Sequence, residues 1–196
     1  MIEWSSVSEP NLEQHIQDIE IENSNLASLY VALSQLHSSL DVNEVLGVIV
    51  EILLNFVGAE EFAVMIADEQ DTLRPIVAHG MSRNAVPAIS KSGMYASAIE
   101  SGQPRFGAFV RGPAPEGVSG EPSVCIPLHA AGEVIGVLPV WSFLQQKEAL
   151  THIDNEIIQL MSKSAGTALE AARLAMTAPP EPGAKGYYEA FAGLIS

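Results

Sequence analysis

The chain has 196 residues, of which 47% are hydrophobic, and these values predict one globular domain with some additional helix. Its formal net charge of −15 argues against a nucleic-acid-binding protein, which needs clustered Lys and Arg. The longest apolar stretch, residues 45–57, is too short to span a bilayer, and the first residues do not have the pattern of a signal peptide. The single cysteine excludes an internal disulfide framework. We therefore expect a soluble, cytoplasmic protein without membrane insertion.

The chain begins with a heptad pattern of aliphatic residues. The residues of the pattern are Leu12, Ile19, Leu26, Leu33 and Leu40, with Leu29 and Leu36 at interleaved positions. This spacing is typical of a coiled-coil seam. Such a seam often packs on its own domain, but this one extends upstream of the domain and has no sheet beneath it, which favours a homodimer. The predicted dimer interface comprises Leu26, Leu29, Leu33, Leu36, Leu40, Ile157 and Met161.

A second helix and two strands follow the seam. Asp41 and Glu44 have the spacing of a helix N-cap, and the helix is predicted to run through Phe56 and to end at Gly58. The segment "EFAVMIAD" alternates with a period of two and predicts a strand, and "TLRPIVAHG" predicts its hairpin partner. Pro75 cannot donate to a ladder, so we expect it at a sheet edge or a bulge.

The second half of the chain predicts a short helix, a hairpin and a long helix. "GMYASAIESGQP" has helical composition, "GPAPEGVSGEP" predicts a loop, and "SVCIPLHAAGEVIGVLPVW" predicts two paired strands. Pro139 predicts a bulge at the end of the second strand. A long helix is predicted to begin at the N-cap Thr151. This order predicts an α+β fold, in which the N-terminal and C-terminal helices pack on one face of an antiparallel sheet.

The last residues of the chain are apolar after a Pro-rich and Gly-rich linker. Tyr187, Phe191 and Leu194 fall on one helical face, and a segment this short must gain its order by docking. The favoured alternative is docking on its own domain, and the other is docking on a partner through Tyr187, Phe191 and Leu194. The predicted organisation is an acidic helical extension (1–25), one domain (26–176), a linker (177–186) and this amphipathic segment (187–196).

Residues 26–176 resemble a GAF domain, a module of signalling proteins that senses small molecules and dimerises. The resemblance rests on the two-helix entry "LASLYVALSQLHSSLDVNEVLGVIVEILLNFVGAEEFAVMI", on "SGQP", and on "SVCIPLHAAGEVIGVLPV" followed by the long helix. It implies that a short helix and loops cover a cavity on the other face of the sheet.

The residue signatures of the GAF family's known ligands and reactions are missing. The strand end, residues 140–143, lacks the Asn-Lys pair of cyclic-nucleotide-binding members, and Cys125 lies inside a strand, unlike the cysteine that attaches a bilin. A buried, inert thiol is also a poor candidate for the reactive cysteine of a sulfoxide reductase. The five histidines show no ligand spacing. We therefore predict no catalytic residue, no metal site and no cofactor.

Basic residues cluster unevenly along the chain. Residues 1–71 contain fourteen acidic residues and no Lys or Arg, whereas five of the nine basic residues fall within 74–111. This basic stretch could be solvated surface, could dock an acidic partner helix, or could line the cavity that the resemblance implies. In the last case an anionic ligand is expected, since guanidinium groups suit carboxylates and phosphates. The predicted ligand-binding residues are Phe62, Val64, Arg83, Lys91, Tyr95 and Arg105.

The leading functional hypothesis is a non-enzymatic regulatory protein that dimerises through its helices and passes its signal to a separate signalling protein. The alternative is a small-molecule sensor that binds an anionic metabolite or nucleotide in the cavity. A third hypothesis, an enzyme such as a sulfoxide reductase, would require Cys125 to react.

Overall fold

A six-stranded sheet and five helices make up the part of the chain that the computed structural model describes, residues 9–114, 118, 120–175 and 186–192. The helices are α1 (Glu9–Leu36), α2 (Val42–Ile52), α3 (Gly93–Ser101), α4 (His152–Leu174) and α5 (Tyr187–Ala192). The strands are β1 (Ala59–Ala67), β2 (Thr72–His79), β3 (Ile89–Ser90), β4 (Arg105–Phe106), β5 (Val124–Ala130) and β6 (Glu133–Phe143). No helix among these residues is both long and apolar enough to cross a bilayer.

The strands form one antiparallel sheet in the order β3-β2-β1-β6-β5-β4. Helices α2 and α4 pack on one face, α1 packs on these two helices, and α3 covers β5 and β6 on the other face. This arrangement confirms the predicted α+β fold.

Pro75 lies at both a bulge and a sheet edge. Val64 pairs with Val77 and Met65 pairs with Pro75, so Ile76 is an extra residue in β2. Strand β3 pairs only with Thr72 and Leu73, so the rest of β2 has no strand on its outer side. The missing N–H of proline is tolerated there. In β6 one bulge falls at Trp141, near the end of the strand as predicted, and a second falls at Ile135, opposite β5.

The predicted helix caps are present. The Asp41 carboxylate accepts hydrogen bonds from the backbone N–H groups of Asn43 (2.8 Å) and Glu44 (3.3 Å). Helix α2 continues as a π-helical turn to Val57, and Gly58 ends it with a φ of 70° that favours glycine. Thr151 and Asp154 form a reciprocal capping box at the start of α4.

Helix α4 lies directly against the backbone of β5. A Cβ placed on Gly166 would lie 2.5 Å from the His129 carbonyl oxygen, so only glycine allows this approach. The Ser162 hydroxyl donates a hydrogen bond to the Pro127 carbonyl oxygen at 2.8 Å. Small residues thus set the distance between the long helix and the sheet.

The helix-side core is the set of buried apolar side chains between the sheet and the helices α1, α2 and α4. Helix α1 contributes only its last two turns, where Leu29, Ala32 and Leu36 are buried. Every described side chain from position 14 to position 28 is exposed. Most of α1, whose 28 residues span about 42 Å, therefore extends beyond the domain.

Two Gly-to-Ala changes, one at the contact of α4 with β5 and one on the exposed side of α2, should have opposite effects on the free energy of unfolding. Gly166→Ala should destabilise the protein by about 1–3 kcal/mol, because the new methyl group pushes the helix off the strand. Gly47→Ala, in the exposed interior of α2 with no atom within 4 Å of the new Cβ, should stabilise it by up to about 1 kcal/mol. Urea unfolding measures both, and a stable Gly166→Ala variant would show that the contact is not tight.

Candidate functional site beneath the third helix

The face of the sheet opposite α4 has its own core beneath α3, which we call the roof-side core. Its buried residues are Ala63, Met65, Leu73, Val86, Tyr95, Ala98, Cys125, Val137 and Trp141. Alternation along β1 explains the division, because Ala63 and Met65 face α3 whereas Phe62, Val64 and Ile66 face the other helices. Many roof-side residues are small, so α3 lies close to the sheet.

An open cleft of about 360 Å³ lies at the start of α3. Its walls come from β3, from the first turn of α3 and from the residues before β5, and include Ile89, Ser90, Gly93, Met94, Tyr95 and Glu121. Glu121 is the one charged residue among the described residues of the lining. The Tyr95 ring forms part of the inner wall and continues into the roof-side core.

Two buried polar atoms lie in the roof-side core without a hydrogen-bond partner. They are the Tyr95 hydroxyl and the Trp141 indole nitrogen, on side chains of residues that are 8% and 1% exposed. The two groups are neighbours, and their interaction acts to lower the pKa of Tyr95 against the larger effect of burial. Both atoms are enclosed by the protein, and Trp141 is not among the described residues that line the cleft.

The roof-side core carries no charge at neutral pH. Burial raises the pKa of Tyr95 well above its ordinary value, and the nearby indole of Trp141 only partly opposes this. Burial likewise raises the pKa of the Cys125 thiol to about 12. A thiol that stays protonated is a poor nucleophile, so Cys125 behaves as a small apolar residue.

Only one of the predicted ligand-binding residues, Tyr95, lines this cleft. Phe62 and Val64 belong to the helix-side core and point away from α3. The prediction for Phe62 and Val64 was wrong because alternation identifies two sets of residues on a strand but does not indicate which set faces which layer. Sequence patterns did not indicate Glu121, the charged residue of the lining.

The structure does not bring the predicted cationic residues together. Lys91 pairs with Asp71 at 2.5 Å, and the Arg105 guanidinium donates to the Ser97 carbonyl oxygen at 3.4 Å. Arg83 donates to the Ile76 carbonyl oxygen at 3.3 Å and lines a different cleft, together with Arg74. The three predicted cations therefore do not form one anion site, because each is held by a different partner.

The predicted dimer-interface residues divide into buried and exposed groups. Leu29, Leu36, Ile157 and Met161 are buried in the helix-side core of the same chain, and Leu33 is half-buried against it. Leu26 and Leu40 remain exposed. The four buried residues cannot contact a second copy unless the domain opens. Where α1 contacts α2 and α4, the leucines of the heptad pattern pack into the core of their own chain.

The C-terminal segment packs on its own domain. Tyr187 and Phe191 are buried in the helix-side core, whereas Leu194 lies outside the described residues. The Tyr187 hydroxyl donates to the Glu170 carboxylate at 3.0 Å, and the Arg173 guanidinium lies 4.9 Å from the Tyr187 ring centroid. Burial would raise the pKa of Glu170, but hydrogen bonds from Arg173 and Tyr187 hold it below its ordinary value.

No cluster of His, Cys, Asp and Glu suited to a metal occurs in the described part of the chain.

Two buried tyrosines allow a matched test of the unpartnered hydroxyl. Tyr95→Phe should leave the free energy of unfolding unchanged or raise it, because the hydroxyl is buried without a partner. Tyr187→Phe should lower it by about 1–3 kcal/mol, because a hydrogen bond to a carboxylate is lost. Denaturant unfolding measures both, and an equal loss in the two variants would mean that the Tyr95 hydroxyl is satisfied within the chain.

A model of the GAF domain family matches residues 39–170. Residues 122 to 287 of a methyl-accepting chemotaxis protein are 22% identical, with a TM-score of 0.57, and the match covers 74% of this chain and 99% of that chain. The GAF domain of an Acinetobacter phosphoenolpyruvate-protein phosphotransferase is 14% identical, with a TM-score of 0.58, covering 80% and 98%. The free methionine-R-sulfoxide reductase from Neisseria meningitidis is 20% identical, with a TM-score of 0.55, covering 74% and 87%.

A comparison with curated proteins gives no match. At these identities the solved structures establish the fold and leave activity undecided. The family match spans more than half of the sequence, from the residues before α2 to the last turns of α4. The chain therefore belongs to the GAF domain family.

Proposed function

We propose that this protein is a non-enzymatic, cytoplasmic regulatory protein that pairs with a second copy through α1 and acts by contacting another signalling protein. The proposal rests on an apolar stripe along the part of α1 that extends beyond the domain. We call Ile16, Ile19, Leu26 and Tyr30 the α1 stripe. These residues are 48%, 47%, 45% and 76% exposed.

The spacing of the α1 stripe places its members on one side of the helix. Steps of three, seven and four residues each return to the same face. No other described element covers this face of α1 at the residues that precede Leu29. An isolated helix has only marginal stability in water. An apolar face of this length is stabilised when another helix covers it.

A second copy of α1 fits this stripe better than the other described surfaces of the chain do. In a two-fold pair the stripe meets itself, so one surface provides both halves of the interface. The leucine periodicity is that of a coiled-coil seam and continues directly into the buried Leu29 and Leu36. Pairing at α1 would thus be connected to the packing of α4.

A regulatory role agrees with the kinds of protein that share this fold. The similar structures include a methyl-accepting chemotaxis protein and a putative sensor histidine kinase from Pseudomonas syringae pv. tomato. A regulatory domain that lacks a reactive thiol transmits its state through contacts. This supports a non-enzymatic function and favours it over a reductase that depends on Cys125.

Charge on the stripe should break the dimer. We expect wild-type protein to have twice the chain mass in light scattering, and Ile19→Asp with Leu26→Asp to give monomer. Both positions are exposed, so the domain should stay folded by circular dichroism. Ser24→Asp with Ser28→Asp adds the same charge on the opposite side of α1 and should remain dimeric.

Salt separates a homodimer from binding to a basic partner. Helix α1 carries five acidic residues and no Lys or Arg, so two copies repel one another, and added salt should strengthen their association. A wild-type monomer at tens of micromolar, or Asp variants that dimerise normally, would contradict the proposal.

A second candidate function, a small-molecule sensor, is favoured by the cleft of about 360 Å³ at the start of α3, which Tyr95 helps to line. Native mass spectrometry of gently purified protein should then detect one additional small mass per chain. Tyr95→Phe should lose that mass, whereas Tyr188→Phe, the same change at a residue outside the cleft and outside α1, should retain it. A wild-type spectrum with only the chain mass would count against the sensor.

A further inference from the structure

We propose that a second cleft, between β2 and α5, binds a small aliphatic carboxylate. Arg74 lines this cleft from β2, Arg83 from the residues between β2 and β3, and Tyr188 from α5. Its described lining shares only Ala88 with that of the cleft at the start of α3. The family match ends at residue 170, so a site that includes Tyr188 extends beyond the matched segment.

Two guanidinium groups provide hydrogen-bond donors in this cleft. Arg83 donates one N–H to the Ile76 carbonyl oxygen at 3.3 Å, and Arg74 donates its Nε–H to the Asp68 carboxylate at 2.6 Å. A guanidinium has five N–H groups, so each arginine retains donors that these bonds do not use. Two parallel N–H groups of one arginine match the two oxygens of a carboxylate.

The charges around the cleft favour a ligand with one negative charge. Asp68 is buried, and its ion pair offsets the charge of Arg74. Arg83 is half-buried, and no described Asp or Glu lies within ion-pair distance of it. One positive charge is thus left without a carboxylate beside it. A carboxylate balances this charge more closely than a phosphate monoester, whose charge at neutral pH is about −1.5 to −2.

Glu189 is an acidic residue of α5 that lies near the same arginines. The hydrogen bond with Asp68 is the main cause of the raised pKa of Arg74, and the charge of Glu189 contributes to it. Glu189 is exposed, and it is not among the described residues that line the cleft. Its carboxylate therefore leaves the cleft open, but it would compete with a bound carboxylate for the field of Arg74.

The other walls of the cleft suit a short apolar chain. Pro75, Val86 and Tyr188 line it, and the Tyr188 hydroxyl already donates to the Pro75 carbonyl oxygen at 3.2 Å. The volume is about 250 Å³, just below the range of about 300–1,000 Å³ for small-molecule sites. A carboxylate that carries a few methylene groups matches this volume, whereas an anion as large as a nucleotide does not.

Butyrate, butyramide and inorganic phosphate test the ligand class in NMR titrations of the full chain at constant ionic strength. We expect butyrate to bind with a Kd below about 10 mM, the range for so small a ligand. Butyramide has the same shape without the charge, and phosphate has charge without the apolar chain. Each should therefore bind at least about threefold more weakly than butyrate.

Three single changes assign butyrate to the cleft. Arg83→Gln should weaken binding at least about threefold, because the uncompensated positive charge is removed. Arg105→Gln is the matched control, since Arg105 also donates to a backbone carbonyl oxygen, that of Ser97, but lies outside the cleft. Its affinity should equal that of the wild type. Glu189→Gln removes the competing carboxylate and should strengthen binding by about twofold, a gain that a merely structural role of these residues would not produce.

Several results would overturn the proposal. Butyrate that does not bind in this range, or butyramide or phosphate that binds as tightly, would contradict the ligand class. Equal butyrate affinities in Arg83→Gln and Arg105→Gln would show that binding does not occur in this cleft. An unchanged affinity in Glu189→Gln would contradict the competition at Arg74. These results are independent of pairing through α1 and of the cleft at the start of α3, which light scattering and native mass spectrometry test.

Discussion

The close packing of α4 on β5 determines how the rest of the molecule is arranged. Gly166 permits contact with the His129 backbone, and Ser162 binds the Pro127 carbonyl oxygen, so the long helix is fixed against the sheet. With α4 in this position, α2 and the last turns of α1 complete the helix-side core, and α5 covers one end through Tyr187 and Phe191. The domain therefore buries most of its helix layer within one chain, whereas the apolar side chains of the α1 stripe stay exposed.

The two faces of the sheet differ in charge. On the helix side Arg173 and Tyr187 both contact the buried carboxylate of Glu170. On the roof side the described residues of the buried core include no charged side chain, and the Tyr95 hydroxyl and the Trp141 indole lie next to one another within it. The cleft lined by Tyr95 opens beside this uncharged core.

Local rules predicted the elements well because their causes are local. The caps at Asp41 and Thr151, the stop at Gly58 and the irregular strand at Pro75 all depend on side chains within a few residues. The assignment of residues to the two faces of the sheet was less accurate. Phe62 and Ala63 are neighbours in β1 and point to opposite faces, but the sequence does not tell which face each one occupies. Leu29 and Leu36 belong to the same heptad pattern as Leu26, yet tertiary packing buries only the first two. The cleft could not be predicted from charge, because Arg83 and Arg105 instead donate to the carbonyl oxygens of Ile76 and Ser97.

Amide hydrogen exchange of α1 as a function of protein concentration tests the central claim most directly. If a second copy covers the α1 stripe, amides around Ile19 and Leu26 should be protected at high concentration and lose protection on dilution below the dimer Kd. Amides near Leu36, which belong to the domain core, should be unaffected by dilution. Rapid exchange around Ile19 and Leu26 at every concentration would contradict the account, because the helix would then have no partner.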